Sequence, residues 1–226
     1  MTTGLKATAL QLAQRVVLIG NADVAIDYSA LVDGSEVVVR FNECPNFGGN
    51  TGTRTTILCL INTGAVGRDL YKQARLRELA PARQAGEIWF RGRRDNWLDA
   101  LLITLFQFRR RKKKLDYGPK LMRANGLRDT PAVYPPRGFL KRARRKLRAV
   151  DPQRPWAKVN PSSGFLAIER VLDDPRFAGH EVCLIGFTWE RGTPRRTFRD
   201  QHTWDEEETL CREHDTKGVL KILPCA

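Results

Sequence analysis

The stretch Val16-Val17-Leu18-Ile19-Gly20-Asn21 is a short apolar, β-branched run that stops abruptly at a Gly-Asn turn. This pattern predicts a buried strand over residues 15–20. Residues 36–41 and 55–61 repeat the apolar run further along the chain. Buried strands that follow one another in this way predict an α/β protein with a mostly parallel central sheet flanked by helices.

Each of these three predicted strands is followed by an Asn, namely Asn21, Asn42 and Asn62. In parallel sheets ligands bind at the carboxyl ends of the strands. An Asn side chain there offers an amide donor and a carbonyl acceptor, which suit a sugar hydroxyl or a base edge. The alternative is that each Asn caps a turn; the repetition favours a ligand-facing rim.

Two common nucleotide-binding motifs are absent from the sequence. It lacks the G-x-G-x-x-G of dinucleotide-binding folds, and the second strand ends in Arg40 rather than in an acidic residue. The chain also contains no G-x-x-x-x-G-K-[ST] motif. Binding of NAD and an ordinary P-loop are therefore both disfavoured.

The composition is that of a globular protein with a strong positive charge. The 226 residues include 39 Lys and Arg against 25 Asp and Glu, a formal net charge of +14. A single domain spanning 1–226 is expected, and such a surface attracts phosphorylated small molecules, nucleic acid or an anionic membrane.

The cysteines and the hydropathy pattern point to a cytoplasmic protein without a structural metal. The five cysteines form no C-x-x-C pair and no zinc spacing, so no metal is expected and the thiols are expected to be reduced. No secretory signal is visible in the first residues, and no apolar run is long enough to span a membrane.

A basic helical insertion is predicted around residues 95–150. An apolar helix over 95–108 precedes six consecutive basic residues at 109–114, and a second basic run covers 137–148. The helix is expected either to lie in the core or to contact an anionic membrane peripherally, through 97–114 and 137–148. Nucleic-acid binding is disfavoured because the basic runs lack interleaved aromatic residues.

The second half of the chain contains a predicted anion site. Residues 157–160 predict a strand, and the turn Ser162-Ser163-Gly164 opens a helix over 165–172. The first turn of a helix presents N–H groups and positive potential to an anion such as phosphate, although a serine there also serves as an ordinary N-cap. A further strand over 181–185 ends at Gly186, where a ligand can approach the backbone closely.

His202 is the candidate general base among three histidines. It stands at the start of an acidic helical stretch that includes Glu207. Nearby carboxylates are expected to raise its basicity and to hold its tautomer. A purely structural histidine is the alternative.

Three of these segments together resemble the sialyl motifs of glycosyltransferase family 29, the sialyltransferases. The stretch from Val17 to Asn42 is similar to the large motif, the stretch from Asn160 to Phe187 to the small motif, and His202 with Glu207 to the very small H-x4-E motif. The chain resembles in particular the short bacterial proteins called urease operon accessory proteins.

The resemblance implies a single Rossmann-like domain, the sialyltransferase variant of the GT-A-like fold. It implies inverting, metal-independent transfer of a sialic-acid-type sugar from a CMP-sugar donor to a glycan or small hydroxyl acceptor. His202 would be the base and Glu207 its support, and the nucleotide-sugar would bind six residues: Asn21, Asn42, Ser162, Ser163, Gly164 and Gly186.

Two further functions stay open at this point. The same fold without catalysis would make a nucleotide-binding accessory protein, since the turn Ala22-Asp23 departs from the family pattern and the family's disulfide cysteine is replaced by Arg15. A basic protein that binds RNA or a membrane surface is the other alternative, and it would act through 109–114 and 137–148.

Overall fold

A computed structural model describes residues 12–95, 98, 101, 105, 115–189 and 202–226. Seven strands in these residues form one sheet. The strands are β1 (Ala13–Ile19), β2 (Ser35–Phe41), β3 (Ile57–Leu60), β4 (Glu87–Phe90), β5 (Ala132–Val133), β6 (Glu181–Ile185) and β7 (Lys221–Ile222).

Helices cover both faces of this sheet. Those described are α1 (Ser29–Asp33), α2 (Gly64–Gln73), α3 (Ala80–Gln84), α4 (Gly118–Ala124), α5 (Phe139–Val150), α6 (Ser163–Asp173) and α7 (Trp204–Thr216). The expected α/β class with a mostly parallel sheet is confirmed, because every described strand pair is parallel.

The order of the strands places a switch point beside β1. The sheet runs β5-β4-β3-β2-β1-β6-β7, so the chain moves outward from β1 to β5 and then crosses back to β6 on the other side of β1. In open α/β sheets the crevice for ligands lies at the carboxyl ends of the strands where the order reverses. Here that crevice lies above the ends of β1 and β6.

The central strand β1 is buried on both faces. Val16 and Leu18 belong to the hydrophobic cluster that includes α5 and α6, whereas Val17 and Ile19 pack with α1 on the opposite face. Side chains alternate between the faces of a strand, so a continuous apolar run is what a sheet covered on both sides requires.

Helix α5 shows why the second basic run forms a helix. Phe139, Ala143 and Leu147 recur every four residues and are buried, while the basic side chains face outward. Lys146 pairs with the buried carboxylate of Glu169 on α6 at 2.5 Å. The run 137–148 is therefore one face of an amphipathic helix attached to the core.

Two sequence predictions differ from the structure in this region. Residues 157–160 do not form a strand: Trp156–Lys158 is a 3₁₀ helix, because the carbonyl of Pro155 accepts a hydrogen bond from Lys158 N at 2.8 Å. The segment 95–150 is more than a helical insertion, since it also supplies β5 to the sheet. The sequence also predicts a short leading helix over residues 5–14. Residues 5–11 lie outside the described part, and Ala13 already belongs to β1.

The predicted apolar helix is described only at three helical positions, all leucines. Leu98, Leu101 and Leu105 are 46%, 44% and 63% exposed, so these three are not core residues. The basic run 109–114 lies outside the described residues. Among the helices that the structure describes, none is long and apolar enough to cross a membrane. Peripheral membrane contact stays a prediction.

Candidate functional site

Two glycines bring the ends of β1 and β6 together at the switch point. Gly20 N donates to Ile185 O at 2.7 Å, and a Cβ on Gly20 would lie 2.2 Å from the carbonyl oxygen of Gly186. Gly186 has φ +71°, a conformation that L side chains rarely adopt. The close approach therefore requires glycine at position 20, and the positive φ favours glycine at position 186, whether or not a ligand binds above them.

The three Asn residues at the strand ends differ in their environments. Asn21 is exposed at the start of the turn after β1. Asn42 has φ 53°, and its Oδ1 accepts a hydrogen bond from Ile61 N at 3.2 Å. Asn62 is fully buried and bonds both backbone groups of Gly92, at 2.7 and 3.2 Å. Asn62 thus links the segments that follow β3 and β4 and does not line the rim. Ligand contacts for Asn21 and Asn42 stay predictions.

The N-terminus of α6 combines a cap with free donors. Ser162 Oγ accepts a hydrogen bond from Phe165 N at 3.0 Å, so Ser162 is the N-cap that the sequence allowed as an alternative. The backbone N–H groups of Ser163 and Gly164 donate to no residue in the described part of the chain. A Cβ on Gly164 would lie 2.8 Å from the ring of Phe187, which follows β6.

Glu207 on α7 fastens this helix start. Its side chain is 1% exposed, and its two carboxylate oxygens accept hydrogen bonds from Ser162 N at 2.7 Å and Ser162 Oγ at 2.6 Å. Burial raises the pKa of Glu207 to about 7, although the hydrogen bonds from Ser162 oppose that rise. Ser162 and Glu207, predicted from separate motifs, are therefore in direct contact.

His202 is held by a backbone carbonyl. Its Nδ1 lies 3.0 Å from Asn160 O, and its ring packs edge-on against Trp204 at 5.1 Å between centroids. Because a carbonyl oxygen only accepts, Nδ1 carries the hydrogen and Nε2 keeps a lone pair. The imidazole is thereby fixed in a tautomer that can take up a proton at Nε2.

The expected effect of carboxylates on His202 is wrong. Burial lowers the pKa of His202, the hydrogen bond to Asn160 O opposes this, and the charge of Arg91 lowers it further. The first acidic residues of α7 are engaged elsewhere, since Glu206 pairs with Arg154 and Glu207 bonds Ser162. A lowered pKa keeps the imidazole neutral near pH 7, as a general base requires.

Arg91 is a site residue that sequence analysis missed. It follows β4, and its Nη2 donates to Asn160 Oδ1 at 3.1 Å and to Pro161 O at 2.7 Å. Its buried Nε has no hydrogen-bond partner in the described residues. The only signal in the sequence was its position directly after the short apolar run Ile88-Trp89-Phe90.

The rim as a whole attracts anions and can accept a proton. Arg91, His202 and Glu207, from β4 and from the region of α7, all bond the segment 160–162 that leads into α6. The helix start adds two N–H donors that have no partner among residues 12–95, 115–189 and 202–226, and it adds the positive end of the helix dipole. Among the residues described, no group of three His, Cys, Asp or Glu is placed to hold a metal ion.

These features define a protein with the Rossmann-like fold of sialyltransferases and a basic rim at its switch point. The sialyltransferase CstII from Campylobacter jejuni, solved in complex with the substrate analogue CMP-3FNeuAc, matches with a TM-score of 0.51. The match covers 93% of this chain and 79% of that chain at 15% sequence identity, so it concerns the fold alone.

A closer similarity comes from the sequence. No family model matches the chain. The urease operon 23 kDa accessory protein of Rhizobium meliloti (strain 1021) is 34% identical over 192 residues, which cover 79% of this chain and 81% of that protein. The chain therefore belongs to the family of this accessory protein. The resemblance to glycosyltransferase family 29 and the activity that it implies stay predictions.

Proposed function

We propose that the protein is an inverting, metal-independent glycosyltransferase that moves a sialic-acid-type sugar from a CMP-sugar to an acceptor hydroxyl. The fold supports a nucleotide-sugar site, because the similar structure of CstII contains a CMP-sugar analogue. The net charge of +14 suits a donor that carries both a phosphate and a carboxylate.

The donor phosphate would lie at the start of α6. The N–H groups of Ser163 and Gly164 donate to none of the described residues, and Arg91 supplies a positive charge beside them. The nucleoside would extend along the turn at Gly20 and Asn21 towards Gly186, with Asn42 on the neighbouring strand end. Helix N-termini bind phosphate well because several N–H dipoles point at one place.

His202 would act as the general base. As the acceptor oxygen bonds to the anomeric carbon, Nε2 takes the hydroxyl proton. The bond between that carbon and the phosphate oxygen breaks, and CMP leaves with the electron pair. The observation that carries the proposal is the hydrogen bond between His202 Nδ1 and Asn160 O, which places the ring hydrogen on Nδ1 and the lone pair on Nε2, the atom that would take the proton.

The test is release of CMP from CMP-sialic acid in the presence of hydroxyl acceptors. His202→Ala is expected to abolish CMP release while CMP still binds. The matched control is His180→Ala, because His180 pairs with Glu36 at the opposite end of the sheet. Unchanged turnover in His202→Ala would remove His202 from the reaction, and equal loss in both variants would point to a general effect on folding.

A second candidate function is nucleotide binding without transfer. The family relationship to an accessory protein favours it. It predicts that CMP or CMP-sialic acid stabilises the protein, with no release of CMP across a broad panel of acceptors. Calorimetry and a turnover assay on the same preparation separate the two functions.

A further inference from the structure

A second cleft lies at the edge of the sheet, outside the site described above. It has a volume of about 440 Å³ and lies between α4 and the segment around β5. Small-molecule sites in proteins typically span a few hundred cubic ångströms, so this cleft is large enough for a compact ligand. Its lining includes Arg94, Arg123, Arg128, Met122, Asp129 and Tyr134.

Three arginines give the cleft its charge. Arg94, Arg123 and Arg128 line it together with a single carboxylate, that of Asp129. None of the three forms an ion pair with a residue in the described ranges. Guanidinium groups gathered around one cavity repel one another, and an anion relieves that repulsion. Their planar donor pairs match carboxylate and phosphate groups.

The wall behind the arginines is apolar and held in place. The Tyr134 ring packs on Phe90 at 4.7 Å between centroids, and the guanidinium carbon of Arg94 lies 6.0 Å above the Tyr134 ring. Met122 on the same wall is 7% exposed. The cleft therefore combines charged side chains with an ordered apolar wall. Such a wall can pack against the carbon atoms of an organic anion, which an inorganic ion lacks.

We propose that this cleft is a second binding site, for a small organic anion that carries two or more carboxylate or phosphate groups. The proposal does not rest on the function of the rim at β1 and β6, because the two sites share no lining residue. Arg91 of the rim and Arg94 of the cleft lie three positions apart in the segment that follows β4, so this one short segment contributes an arginine to each site.

The experiment titrates the full chain with citrate and with inorganic tripolyphosphate, followed by calorimetry. We expect saturable one-to-one binding of one or both probes. The double variant Arg123→Gln with Arg128→Gln should weaken it by about tenfold or more, since two charge-assisted contacts are lost. The control double variant Arg145→Gln with Arg148→Gln removes the same net charge from the exposed face of α5.

Three results would overturn the proposal. Equal weakening by both double variants would mean diffuse charge attraction, and absence of saturable binding would mean that there is no site. Displacement of the probes by CMP would place them at the start of α6 instead. The proposal and the transferase function fail separately, because His202→Ala is expected to leave citrate and tripolyphosphate binding unchanged.

Discussion

The buried carboxylate of Glu207 should make the stability of the protein depend on pH in a defined window. Its pKa is raised from 4.5 to about 7 by burial. The protonated form is therefore favoured in the folded state, and its contribution is fully present below pH 4.5 and lost as the pH rises through about 7. A shift of this size corresponds to about 3 kcal/mol, at 1.36 kcal/mol for each pKa unit.

The substitution Glu207→Gln removes this titration and keeps a side chain of the same shape. We expect the difference in unfolding free energy between the native protein and the variant to change by about 3 kcal/mol between pH 4.5 and 8. The native protein loses stability relative to the variant as the pH rises. Guanidinium chloride unfolding at five or six pH values measures both curves.

The neighbouring substitution Glu208→Gln provides the control. Glu208 pairs with Arg212 one turn further along α7 at 2.8 Å, and among the described residues no hydrogen bond or ion pair joins it to α6. Its curve should run parallel to that of the native protein over this window. Parallel curves for Glu207→Gln would refute the reasoning, because they would show that the buried carboxyl titrates alike in the folded and unfolded states.

Three further predictions concern the same rim. Gly20→Ala should destabilise the protein far more than Gly86→Ala, because the Cβ at position 20 would lie 2.2 Å from the carbonyl oxygen of Gly186, whereas that at position 86 would lie 3.6 Å from Thr56 O, an ordinary van der Waals distance; equal melting temperatures would contradict this. Ser162→Ala removes the cap of α6 and a partner of a buried carboxylate, so denaturant unfolding should show a loss of about 2–4 kcal/mol. Arg91→Gln should raise the pKa of His202 because a nearby positive charge is removed. An unchanged pKa in an NMR titration of the imidazole would show that the charge of Arg91 does not affect the protonation of His202.

Much of the fold could be predicted from the sequence because the central strands are buried on both faces. A short, continuous apolar and β-branched run such as Val16–Ile19 is typical of a strand in a sheet that is covered on both faces. Strands β5 and β7 were missed because each has only two residues, too short for any periodicity. The 3₁₀ helix at Trp156–Lys158 was mistaken for a strand because its form depends on a single turn closed by Pro155.

Several residues of the candidate site could be picked out from the sequence, but the contacts between them could not. Ser162, His202 and Glu207 each stood out through a local motif, and the structure brings them to one segment. The spacing of residues in the sequence could not identify Arg91 as a member of this site, because Arg91 and its partner Asn160 are far apart in the sequence. The acidic residues that follow His202 in the sequence gave a wrong prediction of its basicity, because the direction of each side chain on α7 decides which group its carboxylate contacts.

The position of β1 between β2 and β6 has a consequence for how the protein forms during translation. Val17 pairs with Val38, which is made soon after it, and with Cys183, which leaves the ribosome only much later. One flank of the strand thus stays open on the nascent chain, and pairings so distant in sequence form slowly. The pairing of β1 with β6 therefore forms late in synthesis, and a chain stalled before β6 would expose the unpaired apolar edge of β1 to chaperones.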